Sequence, residues 1–166
     1  ATAKIGAITL LVSIPLGIII GVAASLKQNS IFDYAMTLTA TAGITVPNFA
    51  VAVWLVLFVA IYLDLTPTQG WGTWQHMILP VIAYSLAPLG LVARFTRVSM
   101  LEAMRSDYVR TARAKGLNEP TVVVRHIFKN ALIPIITLFG PLLPNLMTGS
   151  IFIEQTFAIP GLGKHF

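Results

Sequence analysis

Residues 34–63 form a run of thirty without one charged side chain, and no other feature limits the fold of this chain so strongly. A soluble domain has no place for that much uninterrupted apolar surface, whereas about 20 apolar residues in a helix cross the hydrocarbon core of a bilayer. Three further runs, 5–26, 77–93 and 130–153, are apolar in the same way. Composition agrees, with 56% hydrophobic and 10% charged residues, against roughly 25% charged in soluble domains. Lipid offers the backbone no hydrogen-bond partner, so spanning segments close their bonds internally. The expectation is a single all-α, polytopic membrane domain over residues 1–166, with four transmembrane helices at about 5–26, 34–63, 77–94 and 131–153.

The charge is concentrated in one place. Eight of the eleven Lys and Arg (Arg94, Arg97, Arg105, Arg110, Arg113, Lys115, Arg125 and Lys129) lie between residues 94 and 134, with only Glu102, Asp107 and Glu119 among them. This island accounts for the whole net charge of +5. Counting Lys and Arg in alternate loops gives nine on one side (Lys27 and the island) and two on the other (Lys4 and Lys164). The positive-inside rule then places the loop at about 97–130 in the cytoplasm and both ends of the chain outside. An outside N-terminus without a signal peptide implies a chain cut in mid-protein, with an earlier span removed.

Seven of the ten prolines fall within the expected spans. Pro15 should kink the first, and residues 45–48 (Thr-Val-Pro-Asn) should bend the second. Gly17 and Gly21 have the small-xxx-small spacing of close helix packing. Trp71 and Trp74, in the loop 64–76, suit a membrane–water interface.

Within the island, Ser99 and Glu102 have capping-box spacing, which predicts a helix from Ser99 to Lys115. Gly116 suits the left-handed position after that helix. Asn118 reads as the N-cap of a second helix with Pro120 in its first turn. There, Val123, Ile127 and the pair Val124 and Phe128 recur at spacings of three or four. The first helix carries Tyr108, Ala112 and Lys115 amid Arg105, Arg110 and Arg113. A small, basic helix of this kind suits a surface that enters another protein's cleft.

The segments DYVRTARAKGL and RHIFKNALIP resemble the cytoplasmic coupling-loop motif of permeases in binding-protein-dependent ABC importers, above all the oligopeptide/dipeptide branch. Aligned on Gly116, only Ala112 and Gly116 match the general motif of those permeases. The departures at Arg110, Thr111, His126, Phe128 and Lys129 resemble the peptide branch, as do MILP (77–80) and the tail IPGLGKHF. The resemblance implies a permease fragment lacking one span at each end. It implies an ATPase-coupling surface formed by Tyr108, Arg110, Thr111, Ala112, Arg113, Ala114, Lys115, Gly116, Arg125 and His126. The implied partners are a second, homologous permease subunit, two cytosolic ATPase subunits and an extracytoplasmic substrate-binding protein, with membrane lipid around the spans. The implied cargo is di- or oligopeptides, with nickel or glutathione as alternatives carried by the same permease type. Thr45, Asn48, Asn145 and Thr148 are the expected pathway-lining residues, because a peptide backbone in a dry surrounding needs uncharged hydrogen-bond partners.

Other chemistries find little footing. The chain has no cysteine, hence no disulfide or thiolate metal site. Gly161-Leu-Gly163-Lys164 has Ala158 in place of the first P-loop glycine and His165 in place of Ser/Thr, so no nucleotide site is expected in the chain itself. His76, His126 and His165 lie far apart in sequence, and neither a metal nor another cofactor is expected. No serine–histidine–acid set is indicated, so the chain is not expected to be an enzyme. The spans lack the ionisable residues of a proton- or ion-coupled transporter. Nucleic acid is not expected as a partner, since the positive charge belongs to a single loop between spans. A membrane-anchored protein binding nucleic acid or anionic lipid through that loop is the alternative of another class, marked by a steep salt dependence.

Overall fold

The computed structural model describes residues 1–162; Lys164 and His165, which entered the charge count and the motif comparison, lie outside the described residues. The described residues are helical without a strand. Helix α1, Thr2–Leu26, is 25 residues long and runs unbroken past Pro15. Helix α2, Ile31–Thr45, leads through Val46 and Pro47 into α3, Asn48–Leu55, which continues as a wider π-helical stretch, Val56–Tyr62. Helix α4, Gln75–Met104, is the longest at 30 residues. Beyond it come α5, Asp107–Ala114, and the short α6, Glu119–Thr121. A second π-helical stretch, Val122–Phe128, joins α6 to α7, Lys129–Thr137. Helices α8, Phe139–Thr148, and α9, Ile151–Thr156, complete the described chain.

Two helices, α1 and α4, are long and apolar enough to cross a membrane unaided. The other two candidate spans are bent pairs, Ile31–Thr45 with Asn48–Tyr62 at 102°, and Glu119–Thr137 with Phe139–Thr156 at 46°. The first bend falls where Pro47 removes an amide donor and disfavours helix at Val46. The fourth apolar run therefore holds two interruptions, one at Leu138 and one at Gly149, whose φ is 85°.

The third span differs from its expected limits. It does not stop at 94 but carries Arg94 and Arg97 onward to Met104, about 45 Å of helix. No helix begins at Ser99. A charge marks where lipid ends, and a helix has no reason to end there.

Small residues set the packing. The α1 face bearing Gly17 and Gly21 lies against α4, where a Cβ on Gly17 would be 2.8 Å from Val92 Cβ and one on Gly21 would be 2.5 Å from the Ala93 carbonyl oxygen. Backbones come this close only where side chains are missing.

Contacts also show which loops share an end of the bundle. At one end Gly70 donates its N–H to the Phe157 carbonyl at 2.9 Å, Lys4 lies over the Trp71 ring, and Thr2 Oγ1 donates to the buried Glu154 at 2.6 Å. The N-terminal residues, the Trp loop and the segment after α9 are thereby gathered together. At the other end Asp33, buried in the first turn of α2, binds Arg97 of α4, so the short turn after α1 adjoins the basic island. This grouping matches the alternate loops of the charge count.

Candidate functional site

The island folds into a basic hairpin seated on the end of α4. Helix α4 ends at Met104 and α5 starts after two intervening residues, with Ser106 as its N-cap in extended conformation. The Ser106 hydroxyl bonds back to the Ala103 carbonyl instead of capping α5. Helix α5 ends in a complete Schellman motif. Gly116, at φ 76°, donates its N–H to the Arg113 carbonyl at 2.9 Å, and Leu117 donates to the Ala112 carbonyl at 3.4 Å. Asn118 then accepts from the Thr121 N–H at 3.1 Å, and Pro120 lies in the first turn, as the sequence predicts.

The hairpin is held from beneath. Val109 and Ala112 of α5, Val122 and Ile127 of the π-helical stretch, and Met100 and Ala103 of α4 form one buried apolar cluster with Ala131. Val122 and Ile127 are five residues apart and both wholly buried. The i→i+5 winding explains that spacing, which an α-helical period of three or four does not detect. Across the top, the Arg113 guanidinium makes two bonds to Glu119, at 2.6 and 3.1 Å. That contact holds the Glu119 carboxyl below its ordinary range and raises Arg113, although both are solvent-exposed.

The predicted surface residues divide accordingly. Tyr108, Arg110, Thr111, Arg113, Ala114, Lys115, Gly116 and Arg125 are exposed. His126 is half-buried, and Ala112 is buried in the apolar underside. The Thr111 hydroxyl is occupied by the Asp107 carbonyl at 2.9 Å. Arg110 reaches Asp107 only at 3.5 Å, so its charge is essentially free for a partner. The result is a compact basic knob with an apolar base. Val109 and Met100, which help anchor it, went unnoticed because the sequence puts them on one continuous helix, whereas they lie on two helices that pack together.

A second feature lies between α2, α3, α4, α8 and α9. A cavity of about 480 Å³ is lined by uncharged side chains, and its polar groups come from Asn48, Tyr84, Asn145 and Ser150. Two of the four expected pathway residues, Asn48 and Asn145, therefore meet there. Thr45 and Thr148 are not among the lining residues, and their hydroxyls bond the Thr41 and Asn145 carbonyls of their own helices. Tyr84 donates to the Asn145 carbonyl at 3.3 Å across the cavity wall. The sequence reading missed Tyr84 and Ser150, because their place beside Asn145 depends on tertiary packing. Among the described residues no three metal-ligating side chains converge.

Comparison with known proteins fits this geometry. Residues 13–166 match the family described as binding-protein-dependent transport system inner membrane component. The chain is 42% identical over 163 residues to the dipeptide transport system permease protein DppB of Bacillus subtilis, covering 98% of this chain and 53% of the relative. It is 41% identical to DppB of Lactococcus lactis, covering 98% and 54% of the two chains. It is 42% identical over 167 residues to the oligopeptide transport system permease protein OppB of Escherichia coli K12, covering 99% and 55%. The chain thus spans about half the length of these relatives. With a family match over nearly its whole length and with membrane-length apolar helices, the chain is a multi-pass membrane protein that belongs to the family of inner membrane components of binding-protein-dependent transport systems.

Proposed function

We propose that the chain is the central part of a permease subunit in a peptide-importing ABC transporter. In this reading it lines part of the pathway for di- or oligopeptides and couples it to ATP hydrolysis performed by separate cytosolic subunits. The carrying observation is the basic hairpin, rigidly based on α4 and presenting Arg110, Lys115 and Arg125 to solvent. A knob with a fixed underside transmits force, whereas a loose basic loop binds phosphate without doing so. The names of the relatives support peptides as cargo. The uncharged cavity supports the same cargo: Asn48, Tyr84 and Asn145 offer hydrogen bonds to a peptide backbone without a fixed charge to trap it.

The partners follow from this reading. They are a second, homologous permease that completes the pathway, two ATPase subunits against the hairpins, and a binding protein at the opposite end. The test is reconstitution of the complete permease with those partners in vesicles. Di- or oligopeptide delivered by the binding protein should be taken up and should accelerate ATP hydrolysis. Uptake absent for peptides but present for a nickel complex or glutathione would reassign the cargo, and hydrolysis indifferent to every cargo would remove the coupling role.

A further inference from the structure

Arg97 belongs to the basic island in sequence but takes no part in the exposed hairpin. Its side chain turns between helices, where Nε and Nη2 donate to the two carboxylate oxygens of Asp33 at 2.5 and 2.7 Å. The Asp33 side chain is 1% exposed and also accepts the Asn29 N–H at 2.9 Å. Ser30 in turn caps the Asp33 N–H, so the start of α2 is fixed by its own backbone and by α4 together. Among the described residues this is the one ion pair that joins two membrane-spanning elements; the other two lie within the hairpin.

The same two helices touch closely further along. A Cβ on Gly90 would lie 2.4 Å from the Ala40 carbonyl oxygen, and one on Gly43 would lie 2.9 Å from that of Leu86. Such contacts hold helices near each other but allow them to slide. A bidentate guanidinium–carboxylate pair fixes register as well. What the two helices carry makes the register matter. Helix α4 ends in the basic hairpin. Helix α2 ends at the 102° bend, and the residues flanking that bend, Ile44 and Asn48, line the uncharged cavity.

We propose that Asp33 and Arg97 form a positioning clasp that makes α2 and α4 a single lever, delivering movement of the hairpin to the bend beside the cavity. This rests on the peptide-importer reading, because a lever needs an ATPase at one end and a pathway at the other. Neither residue touches cargo or nucleotide. Without the pair the hairpin still docks, but its displacement is lost as slip between the helices.

The experiment compares wild type with Asp33→Asn, Arg97→Gln and Arg97→Lys in the complete permease, with its ATPases and binding protein, in lipid nanodiscs and vesicles. Asp33→Asn and Arg97→Gln should bind the ATPases and hydrolyse ATP at the wild-type basal rate. Peptide carried per ATP should fall roughly tenfold, a factor within the usual range of coupling between sites. Arg97→Lys keeps the charge but not the fork, inserts even if the neutral variants do not, and should fall between. A double variant, Asp33→Cys with Arg97→Cys, should lose coupling and regain it when a short bis-maleimide bridges the two thiols. Separately, the distance between spin labels at positions 38 on α2 and 98 on α4 should be narrowly distributed in wild type and broadened in the variants. Unchanged peptide-to-ATP ratios, or a distribution that stays narrow in Arg97→Lys and Arg97→Gln alike, would overturn the clasp. If the wild-type assembly carries no peptide, the importer reading fails, and the spin-label distances in the permease alone still decide whether the pair sets the register.

Discussion

At Gly116 the backbone has φ 76°, and a Cβ built there meets nothing within 4 Å. Substitution is therefore opposed by conformation alone, without a clash. Gly116→Val should cost about 1–3 kcal/mol of local strain, and Gly116→Asn distinctly less, because asparagine enters the left-handed region more readily. Both proteins should insert normally. ATPase co-purification and peptide-stimulated hydrolysis should fall in the order glycine, asparagine, valine, and wild-type values for the valine protein would contradict a coupling role. Glu119 offers a check through pH. Arg113 lowers its carboxyl pKa in the folded hairpin, so the contribution of the pair is complete above the ordinary value of 4.5 and is lost as pH falls through the lowered one. Amide exchange across α5 and α6 at neutral pH should therefore be faster in Glu119→Gln than in wild type. The two should converge only in acid well below pH 4.5.

Helix packing supplies the next prediction. A side chain on Gly21 would run into the Ala93 carbonyl, which is backbone and cannot turn aside. Gly21→Leu should destabilise the α1–α4 pair by about 1–3 kcal/mol, read as a lower midpoint of denaturant unfolding in mixed micelles. Gly140→Leu, with open space around Gly140, should leave the midpoint unchanged. The elements were unevenly legible in the sequence. Charge-free runs identify spans, and Pro47 with Asn48 marks the bend, because lipid and missing amide donors act locally. The end of α4 was hidden because Arg94 and Arg97 look like a boundary while the helix continues through them. Ser30 and Asp33 have the spacing of a cap, and this signal was available in the turn after α1. The π-helical stretches leave no local sign, and with them the burial of Val122 was missed, although Ile127 stood out in the apolar spacing. The hairpin's turn chemistry at Gly116, Asn118 and Pro120 was readable because each residue acts on its own backbone. The place of Tyr84 beside Asn48 and Asn145 was not, because it arises only from how three helices pack.

For the whole molecule, the two ends are chemically unlike. One gathers the N-terminal residues, the Trp loop and the segment after α9; the other gathers the turn after α1 and the basic hairpin. The account requires the second end to face the cytosol and to meet an ATPase there. This chain contains no native cysteine, so in a complete permease cleared of any cysteine elsewhere, single-cysteine labelling addresses both requirements in one measurement. Thr68→Cys, in the Trp loop, should react with a membrane-impermeant maleimide added to intact cells. Lys115→Cys, at the tip of α5, should stay unlabelled in cells, react in inverted vesicles, and react markedly more slowly once the ATPase subunits are bound. Labelling of position 115 from outside, or a rate in inverted vesicles indifferent to the ATPases, would contradict the assignment of the hairpin as the coupling surface.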